Sequence, residues 1–222
     1  MTLPNLTKVA IIVAHPDDET LWAGGTILLH QSWDCFIGCL SRANDQERSA
    51  NFYNAVKLLH ANGAMGNLPD EPNQPPLHNH VIESAILNIM PSRQFDIIIT
   101  HNPSGEYTRH IRHEEVSRAV IKLWCKGILK TNQLWTFAYE DGQKTYYPKP
   151  IMLHTLSFQL SNAIFNLKYH IISKTYGFNP SSFEACSVNG SEAFWTFQNP
   201  NKAEKWLQHG GLVFEQIKGS HI

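Results

Sequence analysis

The sequence predicts an α/β fold, a mostly parallel sheet with helices on both of its faces. Three observations carry this. Helical and strand-like segments alternate over residues 8–140, the pattern of βαβ units. Two of the strand-like segments, "VAIIVA" and "FDIIIT", are continuous apolar runs, as expected of strands covered on both sides. Each of these runs stops abruptly at a polar stretch rich in histidine and acids, "HPDDE" and "HNPSGEYTRHIRHEE".

The first strand is expected at Val9–Ala14 and a helix over residues 19–30, with Asp17 or Asp18 at its N-terminus, where a carboxylate is favourable. Gly24 and Gly25 weaken that helix unless they let it pack closely on the sheet. A second strand is expected over residues 36–40 and a second helix over 46–62, striped by Phe52, Ala55, Val56, Leu58 and Leu59. The proline-rich stretch 63–76 predicts a loop, "HVIESAILNIM" a helix, and "FDIIITHN" the clearest strand of the chain. A helix ending at Gly127 and a strand in "QLWTFAYE" complete the alternation. After Asp141 the texture changes to a long aromatic-rich helical stretch followed by "SEAFWTF", a candidate strand. No repeat or linker interrupts the 222 residues, so one domain over 1–222 with a helical C-terminal extension is expected.

Composition excludes several function classes. A net charge of −1 gives nothing that recruits nucleic acid or an anionic membrane. The N-terminal "MTLPNLTK" has no basic region followed by an apolar one, so a soluble, cytoplasmic protein without a membrane span is expected. Cys35, Cys39, Cys125 and Cys186 form no C-x-x-C pair and are expected as free thiols. No G-x-G-x-x-G follows the first strand, which disfavours a dinucleotide enzyme. A two-metal phosphoesterase would need more bridging carboxylates than the sequence offers.

In an open parallel sheet, ligands bind beyond the carboxyl ends of the strands. Both histidine-bearing stretches are placed there. His110 and His113, three apart at a helix start, face one side of a turn. If the two strand ends share one crevice, His15, Asp18 and His113 can converge on a metal, and two His with one carboxylate is a catalytic zinc set. Asp17 is left free to act as a base, and Glu19 to cap the helix or orient a ligand. A divalent cation would explain why so many acids crowd the end of a core strand. Arg42, Tyr107 and His101 fall at the same edge and are candidate substrate contacts, His101 equally a hydrogen-bonded structural residue; Glu106 is a further candidate for the pocket wall.

"AHPDDE" followed far downstream by H-x-x-H resembles the LmbE / PIG-L family of zinc-dependent N-acetylglucosaminyl deacetylases. The resemblance implies a Rossmann-like, LmbE-like fold, a zinc ion and hydrolysis of an acetamide on an amino sugar to an amine and acetate. It implies His15, Asp18 and His113 as zinc ligands, Asp17 as the general base, and His110 as the residue that steadies the oxyanion or protonates the leaving amine. "ERSANFYNAVKLL" resembles an Arg-x-x-Glu-Leu segment of that family, with Arg48 in place and Asn51 where Glu is usual. The family commonly carries an acid or amide before the last histidine, and this chain has Arg112. Arg112 cannot accept a hydrogen bond from an imidazole, so Glu114 or Glu115 would have to serve His110 instead. The expected activity is therefore a metal-dependent N-deacetylase on a small-molecule amino sugar conjugate. The alternative is a catalytically impaired member that binds a sugar or partner. Iron or cobalt would fit the same donors as zinc.

Overall fold

The structure is a computed structural model, and it describes residues 6–70 and 75–211. The elements run, in chain order, β1 (Thr7–Val13), α1 (Asp18–Leu29), β2 (Trp33–Cys39), α2 (Gln46–Leu58), β3 (Asn62–Met65), α3 (Asn79–Ile89), β4 (Gln94–Thr100), α4 (Ile111–Cys125) and β5 (Lys130–Phe137). A two-stranded ribbon follows, β6 (Tyr139–Glu140) against β7 (Lys149–Pro150), then β8 (Leu156–Gln159), α5 (Asn162–His170), a π-helical turn (Ile171–Thr175), α6 (Phe183–Cys186), β9 (Ser191–Phe197) and α7 (Pro200–Gln208). The main sheet has seven strands in the order β3-β2-β1-β4-β5-β9-β8. The first five are parallel, and β9 and β8 are added antiparallel.

The expectation of a mostly parallel, two-faced sheet holds. Along β1, Val9, Ile11 and Val13 face a core built with α1, α2 and the π-helical turn, while Ala10 and Ile12 face a second core built with α3, α4 and α7. Both sides of β1 are fully buried, which is why its sequence is a continuous apolar run.

Three segments differ from expectation. Residues 63–76 were expected as loop throughout, yet Asn62–Met65 pairs in parallel with β2. Gly63 explains both the pairing and its concealment: a Cβ there would stand 2.9 Å from the Ile37 carbonyl oxygen, so only glycine lets the backbones meet, and glycine is a poor strand signal. The aromatic stretch after Asp141 is not helical throughout, since it opens with β8. The last third is therefore not only a helical extension, because it closes one side of the sheet with two strands. Gly25 does serve close packing, as a Cβ at this position would lie 2.5 Å from the Leu160 methyls. The four cysteines are free thiols. No helix among the described residues is long and apolar enough to cross a membrane.

Candidate metal centre

The chain leaves β1 and builds β2 and β3 to one side, then returns to build β4 and β5 on the other. The carboxyl ends of β1 and β4, paired side by side from Val9↔Ile97 to Ile12↔Thr100, thus open the crevice where strand order reverses. His15 to Asp18 enters it from β1. His101 to His113 enters it from β4 and the start of α4.

The turn after β1 is shaped to present its acids. Asp17 takes φ 132°, a conformation that costs a residue bearing a Cβ on the order of 1–3 kcal/mol. It occupies the N-cap position of α1, but its side chain makes no capping bond and lines the cavity instead. The cap is completed from elsewhere. Glu19 accepts from the Asp17 backbone N–H at 3.1 Å and from the hydroxyls of Thr20 and Tyr176 at 2.6 and 2.7 Å. Of its two expected roles, Glu19 has the capping one.

His15, Asp18 and His113 come together. His15 Nδ1 lies 3.1 Å from an Asp18 oxygen and 3.1 Å from His113 Nε2, and the other Asp18 oxygen lies 3.3 Å from His113 Nε2. Glu106 accepts at 2.6 Å from Nδ1 of His113, which leaves Nε2 as that ring's lone pair. Asp70 accepts at 3.0 Å from Nε2 of His15, which leaves Nδ1 as its lone pair. With both rings neutral and their protons on the Asp70 and Glu106 sides, two bare ring nitrogens and a carboxylate point at one another. Donors around a tetrahedral zinc stand about 3.3 Å apart, so this triangle fits a metal.

The field agrees with the geometry. Burial opposes a proton on His15, yet the Asp18 charge and the hydrogen bonds to Asp18 and Asp70 raise it to about 9. Burial alone would raise Asp18, but the imidazoles of His113, His101 and His15 hold its carboxyl well below the ordinary carboxylate range. Glu106 behaves alike: burial opposes its charge, and His101 and His113 bring it down to about 2. The centre favours positive charge between ionised carboxylates.

His101, expected either as a substrate contact or as a structural residue, is fully buried behind Asp18. Its Nδ1 faces Glu106 at 2.9 Å, and its Nε2 accepts from the Ala14 backbone N–H at 3.0 Å. Glu106, placed in advance in the pocket wall, is also fully buried and backs both rings. Trp22 Nε1 donates to Asp18 at 3.0 Å, a contact no local motif announces.

The mouth of the site carries the remaining residues. Asp17, Asp18, Arg42, Arg48, Tyr107 and His110 line a cavity of about 170 Å³ next to His15. Arg48 stands 3.7 Å from Asp17, and burial with the adjacent Asp18 charge pushes the Asp17 carboxyl well above the ordinary range. Arg42 spends its guanidinium on Asp70, at 3.1 Å from the carboxylate and 2.9 Å from the backbone oxygen.

His110 stacks on His113 with ring centroids 4.8 Å apart, and its Nδ1 is buried without a hydrogen-bond partner among the described residues. Burial and the nearby charges of His113 and His15 lower it to about 3. Neither glutamate offered as its partner serves it, since Glu114 pairs with Arg109, and Glu115 with Arg112. A nitrogen of His110 also comes within 4.8 Å of those of His15 and His113, so His110 stands at the edge of the donor set.

Solved structures share this fold. An N,N'-diacetylchitobiose deacetylase from Pyrococcus horikoshii, complexed with its inhibitor MPG, is 16% identical over 87% of this chain and 85% of its own, with a TM-score of 0.65. The 4-carboxy-2-hydroxymuconate hydratase of Pseudomonas putida KT2440 is 13% identical over 86% and 96%, with a TM-score of 0.61. A deacetylase of the A40926 pseudoaglycone is 14% identical over 87% and 98%, with a TM-score of 0.57. At such identities the likeness is one of fold. No curated protein matches the sequence. The model of the PIG-L family, described as GlcNAc-PI de-N-acetylase, matches residues 10–124, a span that holds His15, Asp18, His101, Glu106 and His113. The chain belongs to the PIG-L (LmbE-like) family.

Proposed function

We propose that the chain is a zinc-dependent hydrolase that removes the N-acetyl group from an N-acetylglucosamine-type conjugate and releases acetate. The observation that supports this best is the convergence of His15 Nδ1, His113 Nε2 and the Asp18 carboxylate beside a cavity lined by Asp17. Family membership supplies the reaction class. The cavity of about 170 Å³ is smaller than the ~300 Å³ lower bound of ordinary ligand pockets, so it suits the acetamido end of a conjugate rather than the whole.

His15, Asp18 and His113 would hold the zinc, which would supply Lewis acidity toward the acetamide carbonyl. Iron or cobalt would serve in its place. Asp17 accepts the proton of the attacking water at a carboxylate oxygen, and its raised proton affinity makes it a stronger base than a free carboxylate. His110, uncharged near neutral pH, donates an N–H hydrogen bond to the carbonyl oxygen as charge builds there. The proton taken by Asp17 passes to the amine nitrogen as the C–N bond breaks. Tyr107, edge-on to His113 at 5.4 Å, and Arg42 complete the wall against which the sugar lies.

A second reading, a sugar- or partner-binding role without turnover, is favoured by the unpartnered Nδ1 of His110 and by Arg112 in place of an acid. Acetate release from N,N'-diacetylchitobiose and N-acetylglucosaminyl conjugates by the zinc-loaded protein separates the two. Asp17→Asn is expected to keep zinc and lose about 10²–10⁴-fold in turnover. An unchanged rate would remove Asp17 from the mechanism, and sugar binding without acetate would favour the second reading.

A further inference from the structure

The loop after β3 enters the site at one point. Asp70 Oδ1 meets Nε2 of His15 at 3.0 Å, on the opposite side of the ring from Asp18 and His113. The ring thus has an acceptor-only carboxylate at each nitrogen, Asp18 at Nδ1 and Asp70 at Nε2; with the proton of the neutral ring held toward Asp70, Nδ1 is presented as a donor. Arg42 holds the other oxygen of Asp70 through Nε at 3.3 Å and a terminal nitrogen at 3.1 Å.

Something must in turn hold the loop, and α4 does so. Arg112, 2% exposed, donates from Nε to the Pro69 carbonyl at 2.7 Å and from a terminal nitrogen to the Pro75 carbonyl at 3.5 Å. Its other terminal nitrogen pairs with Glu115 at 2.6 Å, and Glu115 accepts at 2.7 Å from the Leu77 N–H. The Arg112–Glu115 pair thus grips the chain at Pro69 and again at Pro75 and Leu77, and fixes the peptide preceding Asp70. His113, the neighbour of Arg112, faces His15 at 3.1 Å from the other side.

We propose that Asp70 is a positioning residue for His15, setting Nδ1 as its donor atom, and that Arg112 with Glu115 holds Asp70 in place. Arg112 therefore serves the centre through His15 rather than through its neighbour His110. The consequence for the metal rests on the proposed function; the fixed tautomer of His15 does not.

The test uses the full chain in two measurements. Nitrogen NMR of the metal-free protein, at a pH above the His15 value of about 9 so that the ring is neutral, reads which ring nitrogen of His15 carries the proton. Zinc titration against a chromophoric chelator reads affinity. The parent is expected to show His15 protonated at Nε2. Asp70→Asn is expected to lose that preference and to weaken zinc by about 10–100-fold, the usual effect of removing a ligand's outer partner. The double variant Arg112→Met with Glu115→Gln, which removes both charges of the pair together, is expected to weaken zinc similarly, and adding Asp70→Asn to it should cost little more. Asp70→Glu should recover part of the loss. A His15 protonated at Nδ1 in the parent, or Asp70→Asn binding zinc as tightly as the parent, would overturn the inference. Additive losses would remove Arg112 from it. A parent that binds no zinc yet shows the Asp70-dependent tautomer would overturn the metal centre and leave the positioning of His15 standing.

Discussion

Asp18 gathers three imidazoles because it is the first residue of a helix that begins where a strand ends, so its carboxylate projects into the crevice rather than along the helix. This much was legible: "HPDD" and H-x-x-H are local patterns, and each places its donors within one turn of chain. Asp70 was not legible, because a loop residue reaches His15 only after β3 and its glycine approach to β2 have set the loop's path. Glu106 was visible as a candidate, but its function came out inverted, since sequence gives no sign that an acid is sealed behind two rings instead of facing a ligand. At this scale, Glu106→Gln is expected to weaken zinc about 10–100-fold, read by the same titration. His110→Ala is expected to lower turnover by about 10²–10³-fold with zinc affinity unchanged, the outcome that follows if His110 serves the oxyanion, as proposed, and not the donor triangle.

Away from the crevice, a further residue contributes to the acid sensitivity of the fold. Burial opposes the charge of Asp141, but the N–H and hydroxyl of Thr108, at 2.7 Å each, lower its carboxyl below the ordinary range. A depressed carboxylate stabilises the fold above its unfolded pKa of about 3.9 and loses that contribution as pH falls through the folded value. Urea midpoints should therefore fall less steeply below about pH 4 in Asp141→Asn than in the parent.

Among the elements, β1 and β4 announced themselves because burial on both faces demands unbroken apolar runs. β3 and β8 did not, since strands of four residues at the margins of a sheet need little apolar sequence to form. The tie between the two ends of the chain was equally hidden. Glu192 on β9 accepts from the backbone N–H groups of Gly25 and Thr26 in α1, at 2.8 and 2.6 Å, and from Lys168 of α5 at 2.7 Å. Lys168 and Glu192 are both fully buried. Lys168→Met leaves a buried carboxylate without its counter-charge and is expected to destabilise by about 3–5 kcal/mol, measured by urea unfolding. Gly25→Ala drives a methyl into Leu160 and is expected to cost about 1–3 kcal/mol by the same assay, despite the better helix propensity of alanine.

For the molecule as a whole, the donor triangle joins two strand ends that the sheet already holds in register, so the metal-free chain is expected to fold. Zinc in thousandfold excess over its dissociation constant would add about 4 kcal/mol, and chelation is expected to lower Tm by about 8–16 °C for a chain of this length. Calorimetry with and without chelator checks both statements.

The antiparallel return of β9 has a consequence for how the chain can be made. Leu134 to Phe137 of β5 find their outer partners only in Phe194 to Phe197, some sixty residues downstream. Until that stretch has left the ribosome, the middle of the nascent sheet shows an unzipped seam flanked by Trp135 and Phe137 to every other chain nearby. A fragment cut to the span the family model recognises would stop short even of β5, leave β4 as the raw margin, and be expected to precipitate. The stretch of chain beyond the span that the family model matches is thus what closes the seam left open by the rest.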